Sequence, residues 1–135
     1  MREKLKDLHT DFAYSVADLS HCKRQQNACV LTSLDGERVL SFGYNGTWRG
    51  GPNECTGPIE PGKCECVHAE INALVKSRPF EEFVAFVTTS PCKQCAKALI
   101  NAGAKRVYCA QTYRDAEGVV LLGKSNVEVH FLEFP

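Results

Sequence analysis

The sequence predicts an α/β protein: a mixed five-stranded sheet in a three-layer α/β/α arrangement. Three observations carry this expectation. Apolar residues recur at steps of three or four near the start, two β-prone runs flank Asp35-Gly36, and the second half alternates strand-like and helix-like runs. Such alternation implies parallel crossovers, while the Asp-Gly pair adds an antiparallel hairpin at one edge.

The first element is a helix, because Leu5, Leu8, Phe12, Val16 and Leu19 form one apolar stripe. Two strands follow, Ala28–Leu34 and Arg38–Tyr44. A tight turn between them needs positive φ at both central residues, which Asp-Gly supplies. Residues 45–66 are rich in Gly, Pro, Asn and Cys and show no periodicity. A loop of that length in a compact domain is functional or clamped, and cysteines are the available clamp. Gly57, Pro58, Pro61 and Gly62 offer turns that bring Cys55 back toward Cys64 and Cys66.

Val67, Ile71, Leu74 and Val75 predict a helix over Val67–Lys76, and FVAFVTT (Phe83–Thr89) predicts a buried strand. Ser90 suits an N-cap and Pro91 a first helical position, so the next helix runs to about Asn101, with Gly103 at C′. Arg106–Ala110 is a short strand, Ala116–Leu122 a helix and Val127–Leu132 a final strand.

Length and composition bound the rest. The chain has 135 residues, 44% apolar and 24% charged, which reads as one domain over residues 1–135. Lys+Arg and Asp+Glu both number 16, and this balance argues against a dedicated polynucleotide binder. MREKLKDLHTDFAY contains no apolar core of a secretory signal, and no apolar run approaches the ~20 residues that span a bilayer. The expected setting is intracellular, without a membrane partner. Eight cysteines in a reducing compartment then point to metal or catalysis rather than to disulfides.

Two short motifs concentrate the chemistry. His68-Ala69-Glu70 opens one helix, and Pro91-Cys92-Lys93-Gln94-Cys95 opens the next. Cys92 and Cys95 lie at i and i+3, on one face of a first turn, where free backbone N–H groups favour thiolates. Two thiolates and one imidazole balance Zn²⁺ and leave a fourth position open, the arrangement of catalytic rather than structural zinc. Water at such a position titrates near ~7, and Glu70, two residues past the histidine, is placed to move its proton. Each motif alone occurs by chance. The conjunction of H-x-E and P-C-x-x-C across a strand is the signature of zinc-dependent deaminases.

With FGYNGTWRGG (42–51), CVHAEINAL (66–74) and VTTSPCKQCAKALINAGAKRVYC (87–109), the chain resembles the cytidine/deoxycytidylate deaminase superfamily. Within it, the deoxycytidylate (dCMP) deaminases are most similar, over roughly Leu5 to Leu132. The resemblance implies a cytidine-deaminase-like fold, zinc on His68, Cys92 and Cys95, and Glu70 as proton shuttle. It places Asn45 on the sugar, the backbone of Ala69 and Ser90 on the amide edge of the base, and Tyr113 in the pocket wall. The implied reaction is hydrolysis of dCMP to dUMP with release of ammonia. For the 5′-phosphate the candidates are Lys23, Arg24, Arg49 and Arg114, with Arg49 first because it follows Asn45 on the same loop. One departure stands out: the family's usual Val-Gly-Ala at the first strand is Gln26-Asn27-Ala28 here.

Some dCMP deaminases also carry a structural zinc between the end of the first helix and the loop before the H-x-E helix. By resemblance its ligands here are Cys22, Cys55, Cys64 and Cys66, with His21 as a substitute for Cys22. Alternation along an extended segment turns Cys64 and Cys66 to one side. Cys29 and Cys109 are expected in the core, and His9 and His130 at the surface. The resemblance further implies a cytoplasmic homo-oligomer, hexameric in many relatives. Three alternatives differ in substrate or class. They are a deaminase of another cytosine nucleotide, a polynucleotide deaminase acting on tRNA adenosine or single-stranded DNA, and a non-catalytic zinc module. Zero net charge and the lack of a basic C-terminal helix disfavour the second, and the intact set His68, Glu70, Cys92 and Cys95 disfavours the third. A bifunctional riboflavin-pathway enzyme would need a reductase domain beside this one.

Overall fold

The computed structural model describes residues 1–55, 64–78 and 81–132. Its elements are α1 (Glu3–Ala17), β1 (Ala28–Thr32), β2 (Val39–Tyr44), α2 (Ala69–Leu74), β3 (Phe83–Thr89), α3 (Lys93–Ala102), β4 (Ala104–Gln111), α4 (Glu117–Lys124) and β5 (Glu128–Phe131). The strands form one sheet in the order β2-β1-β3-β4-β5. β1 pairs antiparallel with β2 and β3, whereas β3, β4 and β5 run parallel. The mixed five-stranded sheet and the order of elements are those the sequence predicts.

The layers follow from strand alternation. In β3 every residue is buried, which identifies it as the central strand. Phe83, Ala85 and Val87 face Ala69, Ala73, Ala96, Leu99 and Leu122 of α2, α3 and α4. Val84 and Phe86 face the opposite way, toward Ala13, Val16 and Ala17 of α1. Burying a side chain such as Phe86 contributes about 1.5–3 kcal/mol, so both faces hold the sheet. Cys29 and Cys109 lie fully buried in the first of these cores, as expected.

Four local expectations are corrected. Leu8 in α1 and Leu19 just beyond its end are exposed, and the inward stripe of α1 runs Leu5, His9, Phe12, Val16. His9 is therefore interior rather than superficial: its Nε2 donates to the Gly36 carbonyl at 2.7 Å and its ring lies against Phe86. The bond satisfies its buried nitrogen and ties α1 to the hairpin. His130 is exposed as expected, and stacks on Tyr108.

The hairpin forms, but its turn is wider than a two-residue link. Only Gly36 has positive φ (80°) there. The Ser33 N–H donates to Arg38 O, and Asp35 accepts from the Ser33 hydroxyl and the Glu37 N–H, closing a four-residue loop. In α3 the N-cap is Cys92, whose sulfur accepts from the Cys95 N–H, and not Ser90. Ser90 continues the sheet edge instead, donating its N–H to Gln111 O at 2.9 Å. Gly103 closes α3 in the left-handed conformation, φ 112°, as its sequence position predicts. The turn residues Gly57, Pro58, Pro61 and Gly62 lie outside the described residues.

Candidate active site and metal centres

The helices that carry the chemistry begin at one end of the sheet, where the parallel strands β3 and β4 finish. That end is where open α/β sheets place their sites. Val67 does not join α2; it forms an antiparallel bridge with Gly46, which leaves extended His68 as N-cap. Two glycines set the depth of the helices. A Cβ on Gly43 would stand 2.4 Å from Ala73 N and 2.7 Å from Ala69 O, so α2 rests directly on β2. A Cβ on Gly118 would stand 2.1 Å from Pro91 O, so α4 backs directly onto the turn that presents Cys92.

His68, Cys92 and Cys95 meet as the spacing predicts. The ring Nδ1 of His68 lies 3.3 Å from the Cys95 sulfur and 3.5 Å from the Cys92 sulfur. A tetrahedral zinc with Zn–S ~2.3 Å and Zn–N ~2.0–2.1 Å sets N···S edges near ~3.6 Å, so this donor set fits the ion. Three donors leave a fourth position. The Cys92 thiol is pulled down to about 4 by the Cys95 hydrogen bond, with His68 adding to it. The Cys95 thiol is pushed up by its bond to Cys92 and by burial, and His68 is raised by its bond to Cys92.

Glu70 is buried on the first turn of α2. Loss of hydration pushes its carboxyl up to about 7, partly offset by its own backbone N–H and by His68. A carboxyl near neutrality both accepts and returns a proton, which is what a shuttle needs.

The pocket around Glu70 is bordered by Arg24, Asn27, Asn45, His68, Ala69, Thr89, Ser90, Cys92 and Tyr113, among others. Asn45 is buried, and its amide holds the neighbouring segment: Oδ1 accepts from the Asn27 N–H at 2.8 Å and Nδ2 donates to Gln25 O at 2.7 Å. The Ser90 N–H serves the sheet and its hydroxyl accepts from the Tyr113 N–H. Tyr113 is thereby held at the pocket wall, with Arg114 donating to its hydroxyl from the exposed side.

Arg49, the first phosphate candidate from sequence, does not border this pocket. It is exposed on an outer groove with His21, Trp48 and Glu54, because the chain turns outward after Gly46. Arg24 does border the pocket, and its Nε is buried without a hydrogen-bond partner among the described residues. Lys23 is exposed and does not line the pocket.

A second cluster joins Cys22, Cys55, Cys64 and Cys66, whose sulfurs all lie within 4.8 Å of one another. The Cys22 and Cys64 sulfurs are 3.8 Å apart, the edge of a Zn–S₄ tetrahedron with ~2.3 Å bonds. Four thiolates saturate the ion, so the donor set fits a closed, structural site. Cys22 is buried in the cluster while His21 is exposed in the outer groove, which favours the cysteine over its substitute. Sequence reasoning missed Asn27, Thr89, Gly43 and Gly118. Only Asn27 carried a signal, as the departure from Val-Gly-Ala.

The description of the matching family model is "cytidine and deoxycytidylate deaminase zinc-binding region", and it covers residues 3–111. A deoxycytidylate deaminase of Schizosaccharomyces pombe is 31% identical over 88% of this chain and 41% of its own length. One from Saccharomyces cerevisiae is 29% identical over 99% of this chain and 46% of its own. The chain thus spans less than half the length of these two curated relatives. The crystal structure of the cyanophage S-TIM5 dCMP deaminase in complex with dCMP and dUMP superposes with a TM-score of 0.87 at 32% identity, covering 98% of this chain and 99% of that one. No helix among the described residues is long and apolar enough to cross a membrane. Motif, fold and site geometry agree with the family match, and the chain belongs to the cytidine and deoxycytidylate deaminase zinc-binding family.

Proposed function

We propose that the chain, as one deaminase domain over residues 1–135, hydrolyses dCMP to dUMP and ammonia. The observation that carries this is the His68, Cys92 and Cys95 set beside buried Glu70, in a pocket bordered also by Arg24, whose Nε has no partner among the described residues. The relative from cyanophage S-TIM5, crystallised with dCMP and dUMP, supports the substrate class.

His68, Cys92 and Cys95 would hold the catalytic zinc, which supplies a water activated near neutral pH. Glu70 accepts a proton as water adds to C4 of the cytosine and passes it to N3. It then takes the proton of the new C4 hydroxyl and delivers it to the amine as the C4–N4 bond breaks and the C4 carbonyl forms, so one water enters and one ammonia leaves. The Ala69 N–H, at the first turn of α2, and the Ser90 carbonyl bracket the amide edge of the base. Asn45 and Tyr113 border the sugar, and Arg24 meets the 5′-phosphate in place of Arg49. Cys22, Cys55, Cys64 and Cys66 would hold a second, structural zinc that clamps the segment entering α2.

The test is ammonia release from dCMP, CMP, deoxycytidine and a cytosine-containing oligonucleotide. Turnover of dCMP far above the others is expected, and failure on every mononucleotide contradicts the reading. Arg24→Ala should raise KM for dCMP roughly 10- to 100-fold, as loss of a charge-assisted contact does, and leave deoxycytidine unchanged. The setting that goes with this activity is a cytoplasmic homo-oligomer, with a hexamer as the form the family resemblance implies; light scattering of the purified protein measures it.

A further inference from the structure

The segment between Arg24 and β1 carries a donor without a partner among the described residues. Asn27, the residue at which the first strand departs from Val-Gly-Ala, borders the pocket. Its orientation is determined by two threonines. The Thr88 hydroxyl accepts from the Ala28 N–H at 3.0 Å and the Thr89 hydroxyl accepts from Gln25 Nε2 at 3.2 Å. Each hydroxyl then donates to Asn27 Oδ1, at 3.4 and 3.0 Å. With the oxygen claimed twice, the amide nitrogen is the end left over, and Nδ2 has no partner among the described residues. Asn45 holds the backbone beside it, so the side chain and the main chain of Asn27 are both anchored.

We propose that Asn27 is a specificity-determining residue, its Nδ2 donating to an oxygen at the sugar–phosphate end of the nucleotide. The reacting amidine faces Glu70, His68 and Cys92, whereas Asn27 shares its short segment with Arg24, the cation that marks the anionic end. This inference rests on the deaminase reading above and adds a contact of this chain's own.

The discriminating variant is Asn27→Asp. It keeps an oxygen for Thr88 and Thr89, so a purely structural role survives it, but it replaces the donor with an acceptor. Measured together on the zinc-loaded protein are kcat and KM for dCMP and deoxycytidine, dUMP affinity by calorimetry, zinc content and the thermal midpoint. The expected result is KM for dCMP and the dUMP dissociation constant raised roughly 10- to 100-fold, with kcat within about threefold and zinc unchanged. An effect confined to dCMP assigns the contact to the phosphate, and an equal effect on deoxycytidine assigns it to the sugar. Unchanged KM and dUMP affinity in an active protein overturn this inference alone. A wild-type protein that neither binds dUMP nor turns over dCMP overturns the deaminase reading, and this inference with it. Should Asn27→Asp fail to fold, Asn27→Gly carries the test: it removes the donor without adding charge, and unchanged dUMP affinity there is equally fatal.

Discussion

The two cysteine-rich clusters sit side by side and are built for opposite ends. Cys22, Cys55, Cys64 and Cys66 offer four sulfurs, three of them buried, one from the segment after α1 and three from the stretch before α2. His68, Cys92 and Cys95 offer three donors at the starts of two helices, facing a pocket that contains a buried acid. A saturated ion holds loops together, whereas an ion with an open position does chemistry. Only one residue, Val67, separates Cys66 from His68, and it is held in a bridge to Gly46 while its neighbours join different clusters. Proximity in sequence is thus a poor guide to membership of a metal site; donor count and the element each residue starts are better ones.

The contrast breaks most sharply at Glu70. Glu70→Gln should lower dCMP turnover by about 10³-fold, within the range for loss of a general acid–base group, while zinc per chain and the fold stay unchanged. Elemental analysis beside the ammonia assay checks both halves, and retained turnover removes Glu70 from the mechanism.

On the other cluster, Cys64→Ser should remove one zinc and with it about 4 kcal/mol of stability at free zinc a thousandfold above its Kd. In the surviving folded protein kcat should change by less than about threefold. Urea unfolding with and without added zinc reads the loss. A collapse of kcat in protein that remains folded would merge the two sites into one.

Gly118→Ala presses on the catalytic site from behind, since its methyl would overlap the Pro91 carbonyl. Overpacking of this kind costs about 1–3 kcal/mol. Its specific mark should be weaker zinc retention at Cys92 with the four-cysteine zinc intact, followed by competition with a chelator. The smallest effect is expected at Ser41, whose hydroxyl donates to Ala73 O at the end of α2. Ser41→Ala should cost about 1 kcal/mol in unfolding and leave zinc content alone.

Much of this architecture is legible in the sequence, for a physical reason. His68, Glu70, Cys92 and Cys95 sit at the starts of two helices that follow from local patterns, so spacing places each pair at the head of its own helix. The sheet order is legible because the hairpin and the alternating half leave few topologies. What escapes the sequence depends on packing between distant elements. Arg49 ranks ahead of Arg24 as text because it follows Asn45, and only the outward turn after Gly46 takes it away from the pocket that Arg24 borders. His9 falls on the inward stripe of α1 because a hairpin carbonyl 27 residues away meets its ring. Gly43 and Gly118 look like ordinary glycines until a helix is laid on each.

The most direct measurement is zinc per chain in the purified wild-type protein and in Cys64→Ser. Two ions in the wild type and one in the variant, with dCMP turnover persisting in the folded variant, are expected from two independent sites. One ion in the wild type, unchanged by Cys64→Ser, would contradict the division of the cysteines into a clasp and a catalytic centre.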